Sequence, residues 1–231
     1  MHGRRRARPE RKNMKKKLLI MSVAMVLVCA FAVGMTIAYL TSTDEVVNTF
    51  TVGNVQIKLD EAKVDQYGAP QGSPAPRVSK NDYKLIPGHK YTKDPTVTVL
   101  QGSESSYIKM TVTVTKSAQL DAIFAPNGAD LMSIFKGYDS NNWICKGNTE
   151  DTTANTRTYE FWYKEPVAAP NADVALDALF DSITVPGTIT NAQLATIADM
   201  TITVNAYAIQ ADGFADADAA WAAWAEYTPA N

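Results

Sequence analysis

Two histidines are available to this chain, His2 and His89. A zinc-protease motif needs two histidines one helical turn apart and a carboxylate base. Neither that motif nor a second histidine near His89 occurs. A Ser-His-Asp arrangement would have to recruit His89 from beside the Pro87-Gly88 turn, and no G-x-S-x-G elbow is present. His89 therefore reads as a turn residue. Cys29 sits inside an apolar run behind Val28, which does not fit a lipidated cysteine. That leaves Cys145 alone beyond the run, expected as a partly buried, inert thiol, so the fold must hold by its core rather than by an internal disulfide. "DGFADAD" and "GYDSNN" are rich in oxygen ligands but lack the spacing of a calcium loop, and they read as charged surface. No glycine loop suited to phosphate is present. The sequence thus assigns no catalytic residue, no metal and no cofactor, and the chain is read as a non-enzyme.

The charge distribution points elsewhere. The formal net charge of the 231 residues is -2, but nine of the 22 basic side chains precede residue 18, with only Glu10 against them. From Tyr39 onward, 13 basic side chains face 23 acidic ones. Such a surface repels nucleic acid and anionic lipid. The basic stretch leads straight into "LLIMSVAMVLVCAFAVGMTIA", residues 18–38, which carries no charge. Together they form the n-region and apolar region of an export signal. Thr36 and Ala38 put small residues three and one before a cut ahead of Tyr39, and no basic cluster follows to stop transfer. We read residues 1–38 as basic region and signal peptide, and residues 39–231 as one mature domain. A retained membrane anchor is the alternative, and Met14 is an alternative start.

The mature stretch must supply the elements that position any site. "VVNTFTVGNVQIKLDEA" alternates with a phase break: Phe50 and Val52 share one parity, Val55, Ile57 and Leu59 the other. A bulge or tight turn at Gly53-Asn54 would absorb the odd residue. "YGAPQGSPAPR" is a loop, and Pro87-Gly88 a turn. "SYIKMTVTVTK" predicts a strand with Ile108, Met110, Val112 and Val114 on one face and a wet face opposite. "TYEFWYKEPV" and "DMTITVNAYAIQA" predict two more strands. "AQLDAIFAPNGADLMSIF" has helical spacing broken at Pro126-Asn127-Gly128; "ADVALDALFDSI" and "TNAQLATIADM" predict short helices or turns. In the tail, Phe214, Trp221 and Trp224 share a helical face, and Asp216 and Asp218 suit the first turn. That face either docks on the sheet or is exposed as a binding surface. The pattern predicts an all-β antiparallel sandwich with short helical insertions and a C-terminal helix.

The leader "KKKLL…GMTIAYLT", the following "TDEVVNTFTVGNVQIKLDE", and then "LIPGHKYTKDPTVTV" and "SYIKMTVTV" resemble the TasA/camelysin family of Gram-positive exported proteins. The likeness covers residues 15–114, and "NTFTVGNV" and the P-G-x-x-x-x-K-D-P turn are its most specific parts. It implies a jelly-roll β-sandwich and a leader cut by a dedicated ER-type signal peptidase, SipW. It also implies a secreted location at the cell surface or in the biofilm matrix. Membrane contact would be transient, through the leader only. Fibre-forming members of the family complete each subunit's sheet with the N-terminal strand of another, a form of β-augmentation. Carried onto this chain, the donor strand falls on Phe50, Val52, Val55, Ile57 and Leu59, and the partner is a second copy. The alternative is that these residues form the first strand of their own sheet. Camelysin-type members are classed as metallopeptidases, for which this chain offers no recognisable ligands. The function expected is a structural protein of surface or matrix, with an adhesion module built on Trp221 and Trp224 as the alternative.

Overall fold

The computed structural model describes residues 41–44, 54–125 and 131–227, all within one compact unit, Leu40–Asn231. The leader, the cleavage residues Thr36, Ala38 and Tyr39, the first donor residues Phe50 and Val52, and the Pro126-Asn127-Gly128 break lie outside the described residues. No helix among the described residues is long and apolar enough to cross a membrane.

The chain runs through β1 (Thr41–Asp44), β2 (Ile57–Ala62), β3 (Arg77–Val78), β4 (Lys90–Thr92), β5 (Thr96–Val99) and β6 (Ser103–Thr115). Helix α1 (Ser117–Phe124) and a 3-10 turn (Leu131–Ile134) lead to β7 (Phe135–Lys136), β8 (Trp143–Asp151), β9 (Thr156–Tyr163), β10 (Val167–Ala169), β11 (Val174–Ala175) and β12 (Ser182–Thr184). Helix α2 (Asn191–Thr196), β13 (Ile202–Gln210) and α3 (Ala217–Tyr227) follow. All strand pairings are antiparallel. The main sheet has the order β1-β13-β6-β9-β8, with β10 also on β6. A second sheet, β11-β5-β2-β3, and a small third, β4-β12-β7, complete an all-β sandwich. These pairings do not by themselves establish the jelly-roll order that the resemblance implies.

The core follows from alternation. Ile108, Met110, Val112 and Val114 of β6 are fully buried, because successive side chains of a strand point to opposite faces. Tyr159 and Phe161 of β9 lie opposite Val112 and Met110, and Ala206 and Ala208 of β13 lie opposite Met110 and Ile108. From the second sheet, Val55, Ile57, Val97 and Val99 close over them. Burying each side chain of this size stabilises by about 1.5–3 kcal/mol.

Several expectations are corrected. The "ADVALDALFDSI" stretch is not helical. Its apolar residues at helical spacing, Leu176, Leu179 and Phe180, are buried from an extended segment, because Leu176 and Leu179 donate backbone hydrogen bonds to Val97 O and Pro95 O along β5. Strand β8 is absent from the sequence reading: only its first residue, Trp143, is buried, so no alternation marks it. It holds by pairing with β9, with a register shift between Cys145 and Gly147. Cys145 is exposed rather than partly buried, since it lies on this edge strand. The outer face of β6 is wet only in part. Helix α3 lies over its Tyr107 end, where Trp221 and Ala220 join Trp162 of β9 and Ile209 of β13 in a second apolar cluster.

Trp221 is only 4% exposed, so it offers no adhesive surface; it docks its helix. Its ring lies 6.1 Å from Trp162 and 6.0 Å from Trp224, with the Lys109 ammonium 4.5 Å from its centre. Trp224 in turn packs edge-on to Tyr207 at 5.8 Å. The indole N–H of Trp221 is buried without a hydrogen-bond partner. Trp221→Ala is expected to cost about 3 kcal/mol and to strip hydrogen-exchange protection from α3 while β6 and β13 keep theirs. Trp221→Phe, which drops the unpaired N–H, should cost clearly less in the same urea titration.

Candidate strand-accepting groove

Among the described residues, the β13 edge is covered at one end and uncovered at the other. Ala206 and Ala208 are buried, but Ile202 and Val204, on the same face, are only half-buried. Strand β1 pairs with residues 206–209 alone. Beyond it, the β13 edge over residues 202–205 has no partner strand on that side among the described residues. A cavity of about 1100 Å³ runs beside this edge, between β13 and β2. Its apolar lining is made of side chains only partly buried against the core, including Leu59, Leu85, Leu194 and Met200. Helix α2 holds Leu194 there, fixed by a capping box in which Thr190 Oγ1 accepts from Gln193 N and Gln193 returns the bond to the Thr190 backbone.

Another part of the lining, also from β2 and the segments packed on it, is charged. Asp60 is 7% exposed and accepts from Arg77 Nε at 2.7 Å, with Lys58 Nζ at 2.7 Å. Arg77 also reaches Asp94, whose other carboxylate oxygen accepts the Ala62 N–H at 2.7 Å. Burial opposes the charge on Arg77, yet the hydrogen bonds and charges of Asp60 and Asp94 hold its pKa above the ordinary value. Next to this group, Glu61 accepts from Lys93 Nζ at 2.6 Å and from Asn81 Nδ2 at 2.9 Å. Tyr83 lies alongside; burial, with the Glu61 charge adding to it, raises its phenol pKa well above normal. An edge flanked by one apolar and one hydrogen-bonding wall can accept an extended peptide with alternating side chains.

The structure separates the residues that the sequence grouped. Val55 and Ile57 are buried in the chain's own core, and β2 pairs with β5 from Ile57 to Asp60. Leu59 lines the groove as part of that wall. These residues thus take the place of the chain's own first core strand. Trp221 and Trp224 stand on the outer face of the main sheet. His89 is held in its turn, with Nε2 2.6 Å from Tyr67 O and its ring 4.8 Å from that of Tyr91. Among the described residues, no group of three or more His, Cys, Asp or Glu side chains could hold a metal ion. The Glu61-Lys93-Asn81 cluster went unread in the sequence. Neighbouring acids such as Asp60 and Glu61 suggest a solvated edge, and nothing in their spacing signals burial.

Arg77→Met keeps much of the stem and removes the guanidinium that pairs Asp60 with Asp94. It is expected to lower stability by about 2 kcal/mol, less than for a fully buried pair, because Arg77 is partly exposed and Lys58 remains beside Asp60. A fall in the urea midpoint with unchanged slope would show it. No family model, curated protein or solved structure matches this chain.

Proposed function

We propose that the chain is an exported structural subunit of a cell-surface or extracellular-matrix assembly. In this reading it self-associates when an N-terminal strand of one copy adds to the open edge of β13 in another. The leader, the acidic mature surface and the resemblance to the TasA/camelysin family support export and a structural role. The edge over residues 202–205, which no described strand pairs on the side away from β6, beside an apolar groove, is the observation that carries the assembly step.

Chain length supports a second copy as the donor. Asp44 stands opposite Ala206. Asn54 lies at the other end of β13: its carbonyl accepts from Glu104 N, and the adjacent Ser105 carbonyl accepts from Ala211 N. A path along the edge to Ile202 and back to that end covers twelve residue steps, about 40 Å at the rise of a strand. The residues from 45 to 53 span at most about 35 Å fully stretched. A stretch of that length is shorter than the path along the whole edge, so in this proposal the donor strand comes from another copy. Val46, Phe50 and Val52 share one parity with Asn48, which gives the donor a single apolar face.

Electron microscopy of the mature chain, residues 39–231, beside a form starting at Asn54 tests this. The shorter form keeps Val55 and Ile57, which the core needs. The expected result is filaments from the mature form and a folded monomer from the shorter one. Val204→Lys, which puts a charge into the groove, should also abolish filaments while leaving circular dichroism unchanged. A mature form that stays monomeric at high concentration, or a shorter form that polymerises equally well, would sink the proposal.

A further inference from the structure

The charged wall of the groove holds a lysine and an asparagine side chain on one buried carboxylate. Glu61 and Lys93 are 6% and 8% exposed. One oxygen of the Glu61 carboxylate accepts from Lys93 Nζ at 2.6 Å and the other from Asn81 Nδ2 at 2.9 Å. The prospective nucleophile and the prospective leaving group are thus bound to a single carboxylate. The rest of the Asn81 carboxamide is also fixed: Oδ1 accepts the Val64 N–H at 3.0 Å, and Nδ2 donates to Ala62 O at 2.9 Å. Tyr83 lines the same wall, its ring edge-on to Tyr91 at 5.7 Å.

We infer that Lys93 and Asn81 condense, with Glu61 as the catalytic residue, into an amide cross-link inside this domain. A proton moves from Nζ to Glu61, which frees the amine's lone pair. Nζ attacks Cγ of Asn81, and the charge that develops on Oδ1 is met by the Val64 N–H, as in an oxyanion hole. Glu61 returns its proton to Nδ2 and takes the second proton of Nζ. The Cγ–Nδ2 bond breaks, ammonia leaves, and the proton on Glu61 follows it to solvent. An amine and a primary carboxamide become a secondary amide and ammonia, with no oxidant, reductant or cofactor. Holding both reactants on one base lowers the entropy cost of bringing them together. The product ties the segment after β3 to the turn between β4 and β5, and so fixes the groove's charged wall. With Cys145 the only cysteine beyond the leader's apolar run, an internal disulfide cannot do this.

Peptide mapping of the full chain by mass spectrometry tests the inference, whatever the state of the leader. Trypsin cannot cut after an acylated Lys93. The expected product is a branched peptide, residues 81–84 joined to residues 91–109, about 17 Da below the sum of its parts through loss of ammonia. Glu61→Gln, near-identical in shape, should slow its formation at least ~100-fold, and Lys93→Met should abolish it. Unlinked peptides from the folded wild-type chain would overturn the inference, and this decides the matter even where a variant fails to fold. An ammonia loss that persists in Lys93→Met would overturn it as well, because it would mark a succinimide at Asn81 rather than a cross-link.

Discussion

The alternation of β6 is the constraint on which the rest of the structure depends. Its buried face, Ile108 to Val114, is the floor of the core, and both neighbours take their register from it. A slip of one residue would turn every one of those side chains out. The pairing with β13 is unbroken from Ile202↔Val114 to Gln210↔Ser106, and that with β9 from Lys109↔Trp162 to Thr115↔Thr156. The outer residues are fixed by the same rule. Lys109, Trp162 and Tyr207 come level across three strands, which is why a tryptophan helix can dock there. Thr113 and Thr158 also meet, at 2.9 Å. One strand's periodicity thus fixes two cores on opposite faces of one sheet.

What was legible in the sequence follows from how each element earns its burial. Strands β6, β9 and β13 alternate apolar and polar residues because each has one face on the core, and a period of two is visible without a structure. Strand β8 is an edge, held by hydrogen bonds to one neighbour and burying little, so its side chains carry no period. The segment with Leu176, Leu179 and Phe180 misleads in the opposite sense. Three apolar side chains at helical spacing can be buried by an extended chain when backbone bonds to β5 hold it. The groove was illegible for a further reason. Its lining comes from residues 58–95 and 183–205, which only the folded chain brings together. The Glu61-Lys93-Asn81 cluster needs the same three-dimensional information, since burial of charge has no sequence period.

The two edges of the main sheet are treated differently. Strand β8 carries the register shift at Cys145 and Gly147 and the charges of Lys146, Glu150 and Asp151. Bulges and charges of this kind are how proteins blunt an edge against unwanted pairing. Lys146 is drawn back over the sheet, 4.0 Å from the Trp162 ring centre and 3.1 Å from Asp218. At the other edge, β13 over residues 202–205 shows Thr203, Val204 and Asn205, with no charge and no bulge. The unguarded stretch is the one beside the apolar groove.

That asymmetry bears on the geometry of any assembly. A strand contributed near the N-terminus and an edge offered near the C-terminus are different surfaces of one chain. Their contact is heterologous, so it propagates head to tail unless the rotation between copies closes a ring. Two blunt edges would favour a monomer, and two open ones would invite disordered aggregation. In the proposed assembly, one guarded edge and one receptive edge would allow growth in a single direction. In that assembly, the groove would have to hold its shape while load passes through it. On its apolar side it is backed by α2 and the core, and on its charged side by Arg77, Asp94, Lys93 and Glu61. A wall of ion pairs alone is softened by salt and water when it is partly exposed. A covalent amide between Lys93 and Asn81 would not be, which links the chemistry of that wall to the mechanical demand on the groove.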